Sequence, residues 1–183
     1  MRFQPREIRL KDGRTCLLRP VTPEDAPEMI AFLRQVAGET DFLLRCPDEV
    51  TFTLEQEQEI LGRILEDPAS AMMVAVVDGN VAGNASIGGN ASKRKVRHRC
   101  SLGIALKREF WRLGIGTALI QYLTELARQI GYRQMDLEVV ADNERAQALY
   151  TRSGFVESGR RHNGMLFDDG TYHDEILMYK PLD

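Results

Sequence analysis

Cysteine is scarce in this chain and badly placed to build a scaffold. Cys16, Cys46 and Cys100 are an odd number at wide spacing, so the sequence offers neither a disulfide framework nor a metal cluster of the CxxC type, and no metal is expected. Long apolar runs are missing too. The longest, AMMVAVV at 71–77, falls well short of the roughly 20 residues that a spanning helix needs. The N-terminal MRFQPREIRL lacks the apolar segment of a signal peptide, and the expectation is a soluble, cytoplasmic protein. An excess of one charge is also lacking. Lysine and arginine number 24 against 27 carboxylates, a formal charge of -3, which gives no general pull toward nucleic acid or an anionic membrane. The one dense basic stretch, KRKVRHR at 93–99, has no interleaved aromatics and reads as a solvated hairpin loop. No repeat, low-complexity tract or Pro/Gly/Ser-rich linker divides the chain, so one domain over residues 1–183 is expected.

What is present alternates between strand and helix signals. REIRLKDGRTCLLRP alternates about Asp12-Gly13 as a hairpin. The next segment has Thr22 as N-cap, Pro23 at the first helical position and Gly38 as stop, and a second helix follows Thr53. AMMVAVV and VAGNASI form a further hairpin about DGN, and VRHRCSLGIAL a strand. A well-marked helix places Ile115, Ala118, Leu119, Tyr122, Leu123, Leu126 and Ile130 on one stripe and closes at Gly131. QMDLEVV is then a strand. A short helix follows, capped by Asp142 or Asn143 and ended by Gly154, and EILMYKPL is the last strand. The order is β β α α β β β α β α β β, a mixed α/β (α+β) class.

The chemistry concentrates at Gly114-Ile115-Gly116, ahead of the striped helix. A dinucleotide fingerprint needs a third glycine where Leu119 stands, and a P-loop needs Gly-Lys-Ser/Thr, which is absent. What remains is a glycine turn that presents bare N–H groups at a helix N-terminus, a place suited to phosphate; the alternative is a tight turn with no ligand.

A strand ending LGIAL, then RLGIG opening an amphipathic helix, then LEVVADN and ERAQALYTRSGF, resembles the GCN5-related N-acetyltransferases over residues 74–179, and more loosely over the whole chain. The family's pyrophosphate motif, Gln/Arg-x-x-Gly-x-Gly/Ala, matches positions 111–116, except that Trp111 stands first and a basic residue, Arg112, comes one place later. Asn143, Ala146, Leu149, Tyr150, Gly154 and Phe155 match its downstream pattern.

The resemblance implies a single domain whose mixed sheet splays between its two middle strands and is flanked by helices. It implies acetyl transfer from acetyl-CoA, as co-substrate, to a small-molecule or peptide amine by direct attack, and it is compatible with a homodimer. Pantetheine would bond to the backbone around Ile104, Ala105 and Leu106, with the Leu106 N–H as oxyanion donor. Pyrophosphate would meet Arg112, Leu113, Gly114, Ile115, Gly116 and Thr117, and Asn143 would bond the CoA arm. Tyr150 would protonate the departing thiolate; by periodicity alone it is equally a core aromatic, and Asn143 equally a plain N-cap.

The glutamate that the family often carries in the strand before the glycine turn is replaced by Cys100 and Ser101, so Glu138 and His98 stand as substitute bases, a water chain being the alternative. Seven carboxylates between positions 39 and 59 face one base, Arg45, and would favour cationic amines if they walled the acceptor side; otherwise they solvate a helix face. Two other classes stay open: an acyl-CoA sensor without turnover, and a structural partner domain.

Overall fold

The structure is a computed structural model that describes residues 1–89 and 92–182. β1 (Arg6–Arg9) and β2 (Thr15–Pro20) form the first hairpin. α1 (Ala26–Glu39) is entered through a 3-10 turn at Pro23–Asp25, where the Thr22 N–H donates to the Asp25 carboxylate at 2.8 Å. Gly38, expected to stop this helix, lies inside it. The helix ends because Thr40 turns extended, at φ -164° and ψ 143°. α2 (Leu54–Glu66) begins with a reciprocal cap: the Gln56 N–H donates to Thr53 Oγ1 at 3.3 Å and the Thr53 N–H to Gln56 Oε1 at 2.9 Å.

β3 (Ser70–Val77), β4 (Asn80–Gly89) and β5 (Arg99–Leu106) follow. β5 starts later than the pattern suggests, because the residues before it fold into turns in which the Val96 N–H meets the Lys93 carbonyl and the Arg99 N–H the Val96 carbonyl. The rest is α3 (Ile115–Ile130), β6 (Gln134–Val140), α4 (Glu144–Arg152), β7 (Val156–Leu166) and β8 (Tyr172–Pro181), in the expected order.

The eight strands form one sheet, in the order β1-β2-β3-β4-β5-β6-β8-β7, and only β5 and β6 are parallel neighbours. A parallel pair needs a crossover, and α3 supplies it. Alternate residues of β3 serve opposite faces. Val74 packs with Met29, Phe32 and Leu61 of α1 and α2, whereas Met73 and Ala75 pack with Ile115, Leu119 and Leu123 of α3. The apolar face of α3 is wider than the expected stripe, since Ile120 and Ala127 are buried with it.

The parallel ladder is short. Arg99 pairs with Gln134, Cys100 with Met135 and Ser101 with Asp136, and there it stops. Beyond that point β5 stays with β4 as far as Leu106 opposite Gly83, while β6 stays with β8 as far as Val140 opposite Glu175. Each strand keeps its outer neighbour, and the facing edges part into a fork. Arg99 Nε donates to Asp136 Oδ2 at 2.7 Å across the closed end, and Gln134 Nε2 to Asp136 Oδ1 at 2.6 Å.

Gly89 stands beside that closed end. A β-carbon there would lie 2.5 Å from the Arg99 carbonyl oxygen and 2.6 Å from Tyr132 Oη, which itself donates to the Ala69 carbonyl at 2.6 Å. Backbone cannot rotate out of the way, so Gly89→Ala is expected to cost about 1–3 kcal/mol, the usual range for overpacking. Denaturant unfolding checks this; a midpoint equal to wild type would show that the fork tolerates the methyl group.

Candidate active site

A cleft of about 1360 Å³ follows the fork. It is lined by Ile104, Ala105, Leu106, Arg112, Gly114, Ile115, Gly116, Thr117, Glu138, Asn143 and Tyr150 among others. Leu113, alone of the residues expected to bind the donor, is not part of this lining, and its carbonyl accepts the Lys11 N–H at 3.2 Å. The Lys107 N–H donates to the Ala82 carbonyl at 3.0 Å. Strand alternation then turns the backbone groups of Ala105 toward β4 and those of Ile104 and Leu106 toward the open fork. Ala105 therefore lines the cleft without offering it polar backbone. The Leu106 carbonyl is taken by Trp111 Nε1 at 2.9 Å, which leaves its N–H for the cleft.

Between β5 and α3 the chain makes a 3-10 turn at Arg108–Phe110 and two left-handed residues, Arg112 at φ 65° and Gly114 at φ 102°. A β-carbon at Gly114 would meet nothing within 4 Å, so the conformation, not space, calls for glycine there. Gly114 caps α3, whose first N–H groups, on Ile115, Gly116 and Thr117, have no intrahelical acceptor. At Gly116 the reason is different: a β-carbon would lie 3.0 Å from Leu149 Cδ2, so its smallness lets α3 approach α4 instead of clearing room for a ligand.

Tyr150 is 9% exposed, with its ring against Phe155 at 5.8 Å between centroids. Burial pushes its hydroxyl up to about 12, so it stays protonated at neutral pH, and among the described residues it has no hydrogen-bond partner. Asn143, not Asp142, caps α4: its Oδ1 accepts the Ala146 N–H at 3.1 Å, while its amide N–H₂ has no partner among the described residues. Asp142 instead pairs with His173 Nδ1.

On the opposite wall Glu138 is clasped by Arg161, each carboxylate oxygen 3.0 Å from a guanidinium nitrogen, and the same guanidinium donates to the buried Glu175 at 2.6 Å. The two carboxylates hold Arg161 firmly charged. His98 is not brought to the cleft; its carbonyl ties down the Arg133 and Gln134 N–H groups at the foot of β6. The acidic segment does reach the cleft, but through Thr40, Phe42, Leu43 and Leu44. None of its carboxylates lines this cleft: Glu39 accepts the Arg108 N–H at 2.6 Å, Glu49 the Cys46 N–H at 2.9 Å, Glu57 is buried, and Asp41 with Glu39 lines a smaller neighbouring pocket beside Trp111 and Arg145. Among the described residues the carboxylates that face the cleft are Asp136, Glu138 and Glu175, and only Glu138 was legible in advance. For Glu175 the one signal was an acid at the head of the apolar run of β8.

The acetyltransferase (GNAT) family profile matches residues 31–155. The chain belongs to this family. A GNAT-family acetyltransferase structure from Streptococcus pneumoniae shares 31% identity and superposes with a TM-score of 0.87 over 91% of this chain and 99% of that one. The ribosomal protein bS18-alanine N-acetyltransferase of Escherichia coli (strain K12) is 37% identical over 79 residues, 43% of this chain and 53% of that protein. The chain thus spans about half the length of the curated relatives it matches. A Salmonella typhimurium protein solved with its cofactor acetyl-CoA shares the fold at 18% identity, with a TM-score of 0.80 over 92% of this chain and 94% of that one.

The buried tyrosine of this GNAT chain has a measurable signature. Its raised folded-state value means that the unfolded state loses the proton first, so Tyr150 withdraws stability as pH climbs from about 10, the free phenol's value, toward about 12. Cys16 and Cys100, pushed up by burial to about 11 and about 12, act in the same direction. Urea unfolding at pH 8 and pH 11 is expected to show a smaller alkaline loss in Tyr150→Phe than in wild type; equal losses would mean that the hydroxyl is better solvated than its burial implies.

Proposed function

We propose that this protein transfers an acetyl group from acetyl-CoA to a primary amine by direct attack, with no acyl-enzyme. The observation that carries this reading is the fork, in which the N–H groups of Ile104 and Leu106 face an empty strand position beside the N-terminus of α3. A pantetheine arm is an extended chain with amides, able to stand in for the missing strand. Its pyrophosphate would meet the free N–H groups of Ile115, Gly116 and Thr117 together with Arg112. The Leu106 N–H would bond the thioester oxygen, a preorganised donor that contributes about 3 kcal/mol as charge develops there. The amine lone pair attacks the carbonyl carbon, the C–S bond breaks, Tyr150 gives its proton to the thiolate, and Glu138 takes the proton released by the amine.

For the acceptor, we infer a peptide amine. Leu44, Leu166 and Tyr172 are 85%, 61% and 63% exposed. Leu44 lines the cleft and Leu166 follows Met165, which also lines it, an apolar mouth better suited to a polypeptide than to a small polar amine. The name of the Escherichia coli relative supports the same class. A small cationic amine is the second reading, favoured by two carboxylates, Glu138 and Glu175, sharing one guanidinium.

CoA release across an acceptor panel tests both. An alanine-initiated peptide is expected to give the higher kcat/KM; a preference for a polyamine would move the assignment to the second reading. Tyr150→Phe should keep its acetyl-CoA affinity while kcat falls roughly ten- to a thousandfold. Glu138→Gln should lose most with acceptors of high amine pKa, the loss shrinking as pH rises and the amine deprotonates unaided. Donor binding without CoA release from any amine would leave only the sensor reading.

Asn143→Asp separates cap from ligand. The carboxylate still accepts the Ala146 N–H, so Tm should barely change, while its charge and the lost amide donor should weaken acetyl-CoA binding in calorimetry. Unchanged affinity would return Asn143 to a capping role alone.

A further inference from the structure

Trp111 stands where the family motif has its polar or basic side chain, and it is pinned in place. Its indole N–H donates to the Leu106 carbonyl at 2.9 Å, fixing the ring at the mouth of the fork. Over that ring lies Arg145, from the second residue of α4, with Cζ 3.1 Å from the ring centroid. Trp111 and Arg145 both line the cleft, as does Arg112, and Arg108 approaches the same ring at 5.6 Å. Arg108 is engaged by Glu39, but among the described residues neither Arg112 nor Arg145 has a hydrogen bond or an ion pair.

We propose that Arg145 is a phosphate-binding residue of the donor site and that Trp111 is its positioning residue, the pair supplying from α4 a cation that the glycine turn lacks at its first place. The assignment rests on the acetyl-CoA reading above.

A stack uses the face of the guanidinium and leaves its rim of N–H donors free for a second partner. Glu39, Asp41, Asp142 and Glu144 share a smaller neighbouring pocket with Arg145, yet none of them bonds to it. After burial, Arg112 and Arg108 lower the Arg145 pKa, and Arg112 and Arg145, both unpaired, are unfavourable neighbours until an anion arrives. The unsatisfied N–H groups of α3 open on the same cleft, so the free donors of one helix and two arginines converge where a polyphosphate would be neutralised. A solvated surface stack would explain the Trp111–Arg145 contact alone. It would not explain why Arg112, held at φ 65° on the same cleft, also lacks a carboxylate.

Calorimetry with CoA and 3′-dephospho-CoA, and kinetics with S-acetylpantetheine, which carries no phosphate, test the proposal. Arg145→Gln should bind CoA roughly ten- to a hundredfold more weakly, the range for a charge-assisted hydrogen bond. Its kcat at saturating acetyl-CoA and its KM for S-acetylpantetheine should match wild type. Trp111→Phe, which keeps a ring under Arg145, should retain most of the affinity, and Trp111→Arg should restore it to the Arg145→Gln variant. A loss equal for CoA and 3′-dephospho-CoA assigns Arg145 to the pyrophosphate; a loss confined to CoA assigns it to the 3′-phosphate. Either supports the proposal. CoA affinity within twofold of wild type, or an equal loss toward S-acetylpantetheine, would overturn it. A wild-type protein that binds no CoA would overturn the acetyl-CoA reading itself, and this assignment with it.

Discussion

Three residue pairs hold β5 to β6, and nearly everything that makes a site in this molecule follows from the ladder ending at Ser101 opposite Asp136. Because β5 remains bonded to β4 and β6 to β8, neither strand is free to close the gap, and polar backbone is left facing a cavity. The same two strands are the parallel pair, so the helices that leave them, α3 and α4, both start at the open end. Ligands of open α/β sheets gather at the carboxyl ends of strands where connections diverge, and here Gly114 and Asn143, the caps of those two helices, stand at that place. The Arg99–Asp136 pair and the close contact at Gly89 hold the closed end, so the opening is fixed at its hinge and not along its walls.

The formal charge of -3 conceals a polarised cleft. One half carries Arg112 and Arg145 beside the positive end of α3, whereas the far wall carries Glu138 and Glu175 against Arg161. A polyanion and a cation would each find the half of opposite sign. The count of carboxylates at 39–59 left open whether they wall the cleft or solvate the surface, because a loop's composition does not say which side it shows. That loop turns Phe42, Leu43 and Leu44 to the cleft and spends Glu39 and Glu49 on backbone N–H groups.

The order of elements was legible because its punctuation is local: the Thr53–Gln56 cap and Gly131 each act within a few residues, and the stripe of α3 repeats over four turns. Where local rules failed, tertiary contacts had won. Gly38 continues α1, and residues 96–98 are drawn into the turn that anchors the foot of β6. The fork itself came from the family resemblance, since no periodicity tells a strand that it will lose one neighbour halfway along. Trp111 with Arg145, and Glu138 with Arg161 and Glu175, were illegible for a simpler reason: they join residues on different elements, a relation that a single sequence does not contain.

Tyr150 and Asn143 each presented a choice between a structural and a functional part, and the geometry leaves room for both by dividing each residue among its atoms. The Tyr150 ring packs on Phe155 while its hydroxyl has no described partner; Asn143 Oδ1 caps α4 while its amide N–H₂ is free; Leu106 gives its carbonyl to Trp111 and keeps its N–H. In each case the packed or bonded atoms orient the unsatisfied ones. These unsatisfied groups line the open cleft, and the packed atoms beside them keep each one aimed. α3 supplies rigid backing, with Leu119, Ile120 and Leu123 fully buried against the core. A ligand able to satisfy these groups together would meet donors already oriented, with little reorganisation to offset.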